Sequence, residues 1–330
     1  MKKNRFIFTA ALVFLLQANG FADPASELAS FSAFKNVDLS KMAGGEVLNT
    51  RLPSMSFSRG LSTQFCYMVP AGLKQTVELH ERWNATRHPE LKVYLHVELP
   101  AKPGPGDFSK ISSAPDNSPV RSFFADTQKL DPSQLQMNLA EAKLFKPGSD
   151  PRAAACSFWS DLLYRRASAF ASGGLPKEPP YNYNGESVPL TGEVERLLKD
   201  HPKIRTQFSA LAGSLSGVPP VRQMYWEMSD VEGTAAVSLG AVCAKAPSDT
   251  WQAIDLHYYA SSGYFVMLTF YQMWPVTTGS QPATLVWRCD LLSAPSLSEL
   301  HGVERLASAN AMTKEIHKTI TLFLKDTKAK

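Results

Sequence analysis

Four titratable side chains stand in two otherwise apolar segments in the last third of the chain, namely Asp255, His257, Arg288 and Asp290. A charge in a segment suited to burial is costly unless it is paired or faces a wet cavity. A histidine oriented by an aspartate can exchange protons near neutral pH, and an arginine can hold an acidic group through charge-assisted hydrogen bonds. These residue types therefore predict either proton transfer or recognition of an acidic group.

Alternation along these segments decides which side chains can act together. Trp251–Ala260 reads as a β-strand, and successive side chains of a strand point to opposite faces. Asp255, His257 and Tyr259 are consequently expected on one face. Tyr225 stands in an earlier strand whose faces have the same mixed character, and it joins the candidate set for that reason.

Two orientations of these strand faces are open. If they point inward, Asp255 orients His257, and Arg288 with Asp290 binds an acidic head group. If they point outward, the same residues form ordinary solvated strand faces with cross-strand charge pairs. The candidate ligand-binding residues are Tyr225, Asp255, His257, Tyr259, Arg288 and Asp290. Among them, only His257 and Asp255 are candidates for catalysis.

Several well-known catalytic and cofactor motifs are absent from the sequence. His80-Glu81-Arg82-Trp83-Asn84 begins like a zinc-protease helix, but Asn84 occupies the position of the second histidine ligand. Gly104-Pro105-Gly106 lies in a proline-rich segment with no strand leading into a helix, so it does not match a dinucleotide-binding turn. Neither a P-loop nor a G-x-S-x-G elbow occurs. The sequence predicts no metal and no cofactor.

The first 22 residues predict an export signal. Three basic residues precede the apolar stretch Phe6–Leu16, which is short for a membrane span, and Gly20-Phe21-Ala22 offers small residues for cleavage. An uncleaved N-terminal anchor helix is the alternative. We expect a periplasmic or secreted protein whose mature chain begins near Asp23.

Removal of this signal changes what the charge implies. The net charge of the whole chain is +4, and the signal contributes +3 with no acid, so the mature chain carries about +1. A nearly neutral chain gives no reason to expect a nucleic-acid partner. No later run approaches 18 apolar residues, so we expect no integral membrane span.

Four cysteines are widely spaced and form no C-x-x-C pair, which excludes a zinc knuckle or a thioredoxin motif. They are Cys66, Cys156, Cys243 and Cys289. An even number in an exported protein permits two disulfides in three possible pairings. Cys243 and Cys289 lie on the apolar faces of predicted strands, where they could meet across a sheet. Buried free thiols are the alternative.

Composition divides the mature chain into three parts. Residues 23–99 hold short helices and strands and begin an α+β domain. Residues 100–217 start with the proline-rich stretch Pro100–Pro119, predicted as a linker or surface loop with little to bury, and continue as helices. This part is predicted to be a helical insertion. Residues 218–330 complete the domain with five successive strands and a closing amphipathic helix.

The strand predicted at Tyr264–Trp274 is apolar on both of its faces. Strands of this kind are central and covered twice. One cover is expected to be the C-terminal helix, and the other the helical insertion. We therefore expect the insertion to pack on the sheet.

Three local features mark the edges of this arrangement: Gly45-Glu46-Val47, the helix entry Val69-Pro70-Ala71, and the closing helix Met312–Asp326. Together with the order of strands, helix, strands and long helix, they resemble the helix-grip fold of START and polyketide-cyclase-like proteins. Four shorter motifs are similar to a group of exported bacterial proteins whose function is not established: Tyr225-Trp226, Tyr258-Tyr259-Ala260-Ser261, Trp287-Arg288-Cys289-Asp290 and Gly302-Val303-Glu304-Arg305-Leu306.

The resemblance implies a curved antiparallel sheet that grips the C-terminal helix and encloses an apolar cavity for lipids, sterols or polyketides. We therefore expect an exported protein that binds a hydrophobic or amphipathic small molecule between the sheet of 221–291 and the helix of 306–325. One alternative is a hydrolase or cyclase that uses His257 with Asp255 in that cavity. Another is an envelope structural or assembly factor that binds a partner protein through the insertion.

Overall fold

The computed structural model describes residues 23–328, apart from 52–54, 131–134, 216, 218 and 246–248. The predicted export signal, residues 1–22, lies outside the described residues.

Eight strands form one antiparallel sheet. In spatial order they are β1 (Leu48–Arg51), β2 (Gly60–Val69), β10 (Gln281–Ser293), β9 (Val266–Thr278), β8 (Trp251–Ala260), β7 (Thr234–Lys245), β6 (Val221–Val231) and β3 (Val93–Leu99). Strands β1 and β3 are its two edges, so the described strands do not close into a barrel. Two short strands, β4 (Tyr181–Tyr183) and β5 (Glu186–Val188), pair separately.

Ten α-helices accompany the sheet in the described part of the chain. They are α1 (Pro24–Phe31), α2 (Leu39–Ala43), α3 (Leu73–Arg82), α4 (Ser118–Lys129), α5 (Leu139–Ala142), α6 (Pro151–Gly173), α7 (Leu190–Lys199), α8 (Pro202–Gln207), α9 (Ser209–Ser214) and α10 (Gly302–Lys328). The predicted class, α+β with a large antiparallel sheet and a long C-terminal helix, is confirmed.

The sheet is covered on both faces, and each cover has its own core. One face, which we call the grip face, packs Tyr67, Trp251 and Tyr271 against Ile320 and Phe323 of α10, with α3 alongside. The opposite face, the insertion face, packs against α1, α2 and the helices of 100–217. Burial of apolar area on both sides accounts for the nearly continuous apolar sequence of the central strands.

Strand β9 shows the double cover directly. Phe270 points to the insertion face, where its ring centroid lies 5.1 Å from that of Phe208. The next residue, Tyr271, points to the grip face, where its ring lies 4.4 Å from that of His80 on α3. The prediction that this strand is central and covered on both faces is confirmed, with the insertion on one side. On the grip face the helix that contacts β9 is α3, whereas α10 packs mainly on β2.

The proline-rich stretch is not a linker with little to bury, so that prediction is wrong. Pro105–Ser113 forms a 3-10 helix, and its side chains Phe108 and Ile111 are fully buried. The Trp226 indole N–H of β6 donates to the backbone oxygen of Asp107 over 3.1 Å, which attaches this segment to the sheet. Two apolar residues spaced one 3-10 turn apart suffice to anchor a segment whose composition is otherwise typical of a loop.

All four cysteines are free and buried. Cys243 and Cys289 do lie in one row of the sheet, on the insertion face. Ile254 and Phe270 stand between them, as successive partners across β7, β8, β9 and β10. Three strand spacings of about 4.8 Å separate the two thiols, and a disulfide needs Cα atoms within about 7 Å. The cross-sheet pairing is therefore excluded in this fold.

Candidate functional site

A cavity of about 460 Å³ opens between the grip face and the helices α3 and α10. Binding sites for small molecules commonly have volumes of about 300–1,000 Å³. Four of the candidate residues line this cavity: Tyr225, Asp255, His257 and Arg288. The strand faces that carry them therefore point inward, toward the helices, and the outward alternative is wrong for these four side chains.

The hydroxyl of Tyr225 is the centre of a polar network at one end of the cavity. It donates to Asp255 Oδ1 over 2.7 Å and lies 2.9 Å from His257 Nε2. His257 Nδ1 lies 2.9 Å from the hydroxyl of Tyr264. The sequence predicted that Asp255 orients His257, but the structure places the Tyr225 hydroxyl between them, so any such influence passes through Tyr225.

The hydrogen bonds fix the protons of this network. Because the Tyr225 hydroxyl gives its only proton to Asp255, it must accept the bond from His257, so Nε2 carries a proton. The other ring nitrogen is then the acceptor for Tyr264 when the imidazole is neutral. Both nitrogens of His257 are occupied, and neither is left to contact a ligand.

Burial sets the protonation of the two acids in this network. It raises the pKa of Tyr225 well above its ordinary range, and the neighbouring Asp255 charge raises it further, so the hydroxyl remains a donor. Burial also raises the pKa of Asp255, and the charge of His257 and the Tyr225 hydrogen bond offset that rise only in part. Asp255 is thus a carboxyl with incomplete compensation, which is common at functional sites.

Gly240 of β7 allows Tyr225 to reach this position. The two residues are direct partners across β6 and β7, and Gly240 in turn pairs with His257 of β8. A Cβ atom at Gly240 would lie 2.2 Å from Cζ of Tyr225 and 2.5 Å from its hydroxyl oxygen. The phenol therefore crosses β7 through the space that the missing side chain leaves, and a glycine in a strand interior commonly marks such an approach.

A second pair of polar residues extends the network toward the sheet edge. His96 of β3 and Glu227 of β6 are cross-strand partners, with Nδ1 2.8 Å from Oε1. Burial opposes a charge on His96, but the hydrogen bond and the negative charge of Glu227 outweigh it, so the pKa of His96 is raised. The His96 ring lies 5.2 Å from that of Tyr225. This pair therefore backs the tyrosine from the side opposite His257.

Arg288 lies in another part of the cavity wall and forms an ion pair with Asp290. Its Nε and Nη2 atoms contact the Asp290 carboxylate over 2.7–3.1 Å, and Thr269 donates to the same carboxylate over 2.8 Å. Asp290 is fully buried beneath the arginine and is not among the cavity-lining residues. Its geometry fits a residue that holds Arg288 in place, not one that contacts a ligand.

The other end of the cavity is aromatic. Trp251 and Tyr271 of the sheet face Phe323 of α10, with His80 of α3 among them. Burial and the nearby positive charge of Arg288 lower the pKa of His80 to about 4, so this imidazole is neutral at pH 7 and behaves as a fourth aromatic ring. The cavity is therefore polar at one end and aromatic at the other.

Tyr259 lies on the opposite face, so the prediction that it shares a face with Asp255 and His257 is wrong. The pairing of β7 with β8 shifts by one residue between Leu239 and Gly240, which makes Tyr258 the extra residue of a bulge. Tyr258 and Tyr259 both join the core of the insertion face. A bulge reverses the alternation beyond it, and nothing in the strand's own sequence fixes its position.

Several residues of the site were not predicted from the sequence. The predicted strand began at Tyr264, but β9 begins only at Val266, so Tyr264 lies in the segment before the strand and reaches His257. His96 meets Glu227 across 131 positions of sequence, and no local pattern reveals such a pair. Gly240 was the available signal, since a glycine within an apolar strand marks a close approach.

In the described part of the chain, no group of three or more His, Cys, Asp or Glu side chains is placed to hold a metal ion. Within the same residues, no helix has the length and apolar character needed to cross a membrane.

Comparison of the chain with known protein families, with curated proteins and with solved structures finds no match.

Proposed function

We propose that this protein binds an amphipathic small molecule in the cavity between the grip face and α10. The observation that carries the proposal is the division of one cavity of about 460 Å³ into a polar end at Tyr225 and an aromatic end at Phe323. The polar groups fix the orientation of a ligand, while the aromatic groups bury its apolar part. Export to the periplasm or outside the cell stays part of the proposal, as does the helix-grip resemblance.

Native mass spectrometry of protein purified from its own cells tests this proposal. We expect a retained mass of drug-like or single-chain lipid size, or uptake of such a molecule from a lipid extract. Val242→Phe, which places a larger side chain in the cavity wall, should reduce the retained fraction. Val303→Phe is the matched control, because Val303 is 82% exposed on α10. Apo protein that takes up nothing from extracts would contradict the proposal.

The Tyr225–His257–Tyr264 chain of hydrogen bonds favours a second candidate, a hydrolase or cyclase in the same cavity. Since both His257 nitrogens are occupied, the groups that would face a substrate are Tyr225 and Asp255, with His257 moving protons behind them. Under this candidate, His257→Gln should abolish turnover of a medium-chain ester while the melting temperature falls little. Unchanged turnover, or no turnover by the wild-type protein, would rule out this role.

A further inference from the structure

Asp255 differs from every other charged side chain in the cavity wall. The others each pair with an oppositely charged group: Glu81 with Arg222, Glu227 with His96, Asp230 with Lys92, Arg288 with Asp290, and Glu315 with Lys318. Asp255 has no such partner within 4 Å among the residues described. Its Oδ1 accepts from Tyr225, and its Oδ2 accepts no bond from any described group.

The cations nearest to Asp255 are already engaged. His257 meets two tyrosine hydroxyls at 2.9 Å and reaches Asp255 only through Tyr225. Arg288 directs Nε and Nη2 at Asp290 and lies two strands away, with β9 between. His96 directs its Nδ1 at Glu227. Arg288 and His96 are thus paired with other acids, and His257 is bonded to two tyrosines, so the carboxyl of Asp255 faces the cavity without a directly bonded counter-ion.

The charges along the cavity wall decide which ligand group this carboxyl can accept. An acidic ligand would meet an arginine that Asp290 already neutralises, together with the unpaired negative charge of Asp255. The rings of Trp83, Trp251, Tyr271 and Phe323, at the other end of the same cavity, carry no charge that would repel a cation. The arrangement therefore favours a positive group over a negative one.

We propose that the bound molecule carries a cationic amine that pairs with Asp255 while its apolar body lies against the aromatic wall. This inference rests on the proposed function and specifies the chemical class of its ligand. The amine completes the one ion pair that the cavity leaves open, and the charged carboxylate–ammonium bond gains strength from the partly buried setting.

The pH dependence of binding follows from the groups around Asp255. Burial raises the pKa of this carboxyl, with Glu227 adding to the rise and His257, Tyr225 and Arg288 opposing it. An ammonium ion binds the ionised carboxylate, so acidification that protonates Asp255 must weaken amine binding. Binding of an uncharged alcohol of the same length has no such requirement.

Calorimetric titration of the intact protein with decylamine, decanol and decanoate at pH 7 tests the proposal. We expect decylamine to bind about tenfold more tightly than decanol, and decanoate more weakly than either. Asp255→Asn should remove the preference for the amine, so that decylamine and decanol bind the variant with similar affinity. Asp161→Asn, the same substitution on an exposed face of α6, should leave the preference intact.

The outcomes separate this inference from the proposed function. Tighter binding of decanoate, or equal binding of all three compounds, would overturn the cationic class while leaving an amphiphile site in place. Binding of none of them, together with no retained mass, would contradict the site itself. If Asp255→Asn does not fold, a wild-type titration from pH 7 down to pH 4 still decides, because decylamine, unlike decanol, should lose affinity as Asp255 takes up its proton. Titration with lysophosphatidylethanolamine separates the two sources of the amine. Tighter binding of this lipid than of decylamine would indicate a lipid ammonium, and weaker binding would indicate a free amine.

Discussion

Two residues of the cavity depend on each other in a way that single-residue patterns do not show. Tyr225 supplies the hydroxyl that joins Asp255 to His257, and Gly240 supplies the space through which that hydroxyl passes. A glycine costs backbone entropy in a strand. At this position, the cost is offset because the glycine lets the Tyr225 hydroxyl reach Asp255 and His257.

Gly240→Ala should therefore displace the phenol. The new Cβ would come within 2.2–2.6 Å of three atoms of Tyr225, which cannot move aside without breaking its bonds to Asp255 and His257. We expect a loss of about 1–3 kcal/mol in the free energy of unfolding, as for other overpacked sites, measured by urea denaturation. Gly213→Ala is the control, since nothing lies within 4 Å of its added Cβ. Equal stability of the two variants would contradict the close approach.

Asp255 and Asp290 should respond in opposite ways to the same substitution. Burial raises the pKa of Asp255, so the folded state holds its proton more tightly than the unfolded chain, and ionisation at neutral pH costs stability. Asp255→Asn should then raise the free energy of unfolding at pH 7 by on the order of 1 kcal/mol. That gain should vanish at a pH below the ordinary aspartate value of 3.8, where both states are protonated.

Asp290→Asn should instead destabilise the fold. It removes the charge that compensates Arg288, whose side chain is only 13% exposed. Breaking a buried ion pair by removing one partner costs about 3–5 kcal/mol. Guanidinium unfolding of both variants at pH 7 measures the contrast. A loss of stability for Asp255→Asn comparable with that for Asp290→Asn would show that Asp255 is compensated after all.

At the scale of elements, helix α3 presents a titratable group to the aromatic wall. His80 packs among Trp251, Tyr271 and Phe323, with ring distances of 4.4–6.2 Å. Its pKa, about 4, lies below the ordinary value of 6.5, so the neutral form stabilises the fold above about pH 6.5. That contribution is lost as the pH falls toward 4, because the unfolded chain binds the proton first.

The measurement for this element is an NMR titration of the His80 ring, for which we expect a midpoint near pH 4. The loss of stability on acidification should have a slope of up to about 1.4 kcal/mol per pH unit from this group. His80→Phe should flatten that slope between pH 6.5 and 4. His317→Phe, at a half-exposed position of α10 that does not line the cavity, is the control. A midpoint near 6.5 would mean that α3 does not seal His80 against the sheet.

Sequence patterns predicted the strands of the sheet well where the local periodicity of apolar residues matches their burial. The bounds of β8, Trp251–Ala260, are those that the sequence predicted. The same patterns could not place Tyr259, because the bulge that turns it away is set by the pairing of β8 with β7. They also missed the burial of Phe108. The proline and glycine residues around it indicate a loop, whether or not that loop packs against the core.

The inward direction of the polar strand faces could not be predicted from the sequence either. Alternation shows that Asp255 and His257 share a face, but it does not show which cover that face meets. Only the packing of α3 and α10 on one side, and of the 100–217 segment on the other, decides the matter. Information of this kind lies between elements distant in sequence, as the contact of Trp83 with Asp326 illustrates.

At the scale of the whole molecule, one buried arginine joins the 100–217 segment to the sheet. Arg166 of α6 is fully buried, bonds Glu141 over 2.7 Å and Glu178 over 3.4 Å, and lies 4.3 Å from the ring centroid of Tyr259 in β8. Tyr259, which the bulge turns away from the cavity, thus packs in the core of the insertion face. We infer that the two covers of the sheet are coupled through β8.

Replacement of Arg166 by leucine should therefore destabilise the entire chain. It leaves the carboxyl groups of Glu141 and Glu178 buried without the arginine that bonds them, at a cost of about 3–5 kcal/mol. Arg165→Leu is the matched control, because its side chain is 58% exposed and its pair with Asp161 lies on the surface, where such pairs contribute less than about 1 kcal/mol. Tryptophan fluorescence and far-ultraviolet circular dichroism should report one shared transition in both variants, since the sheet and the segment have a common core. Two separate transitions for Arg166→Leu would show that the segment unfolds on its own and that the cavity face does not depend on it.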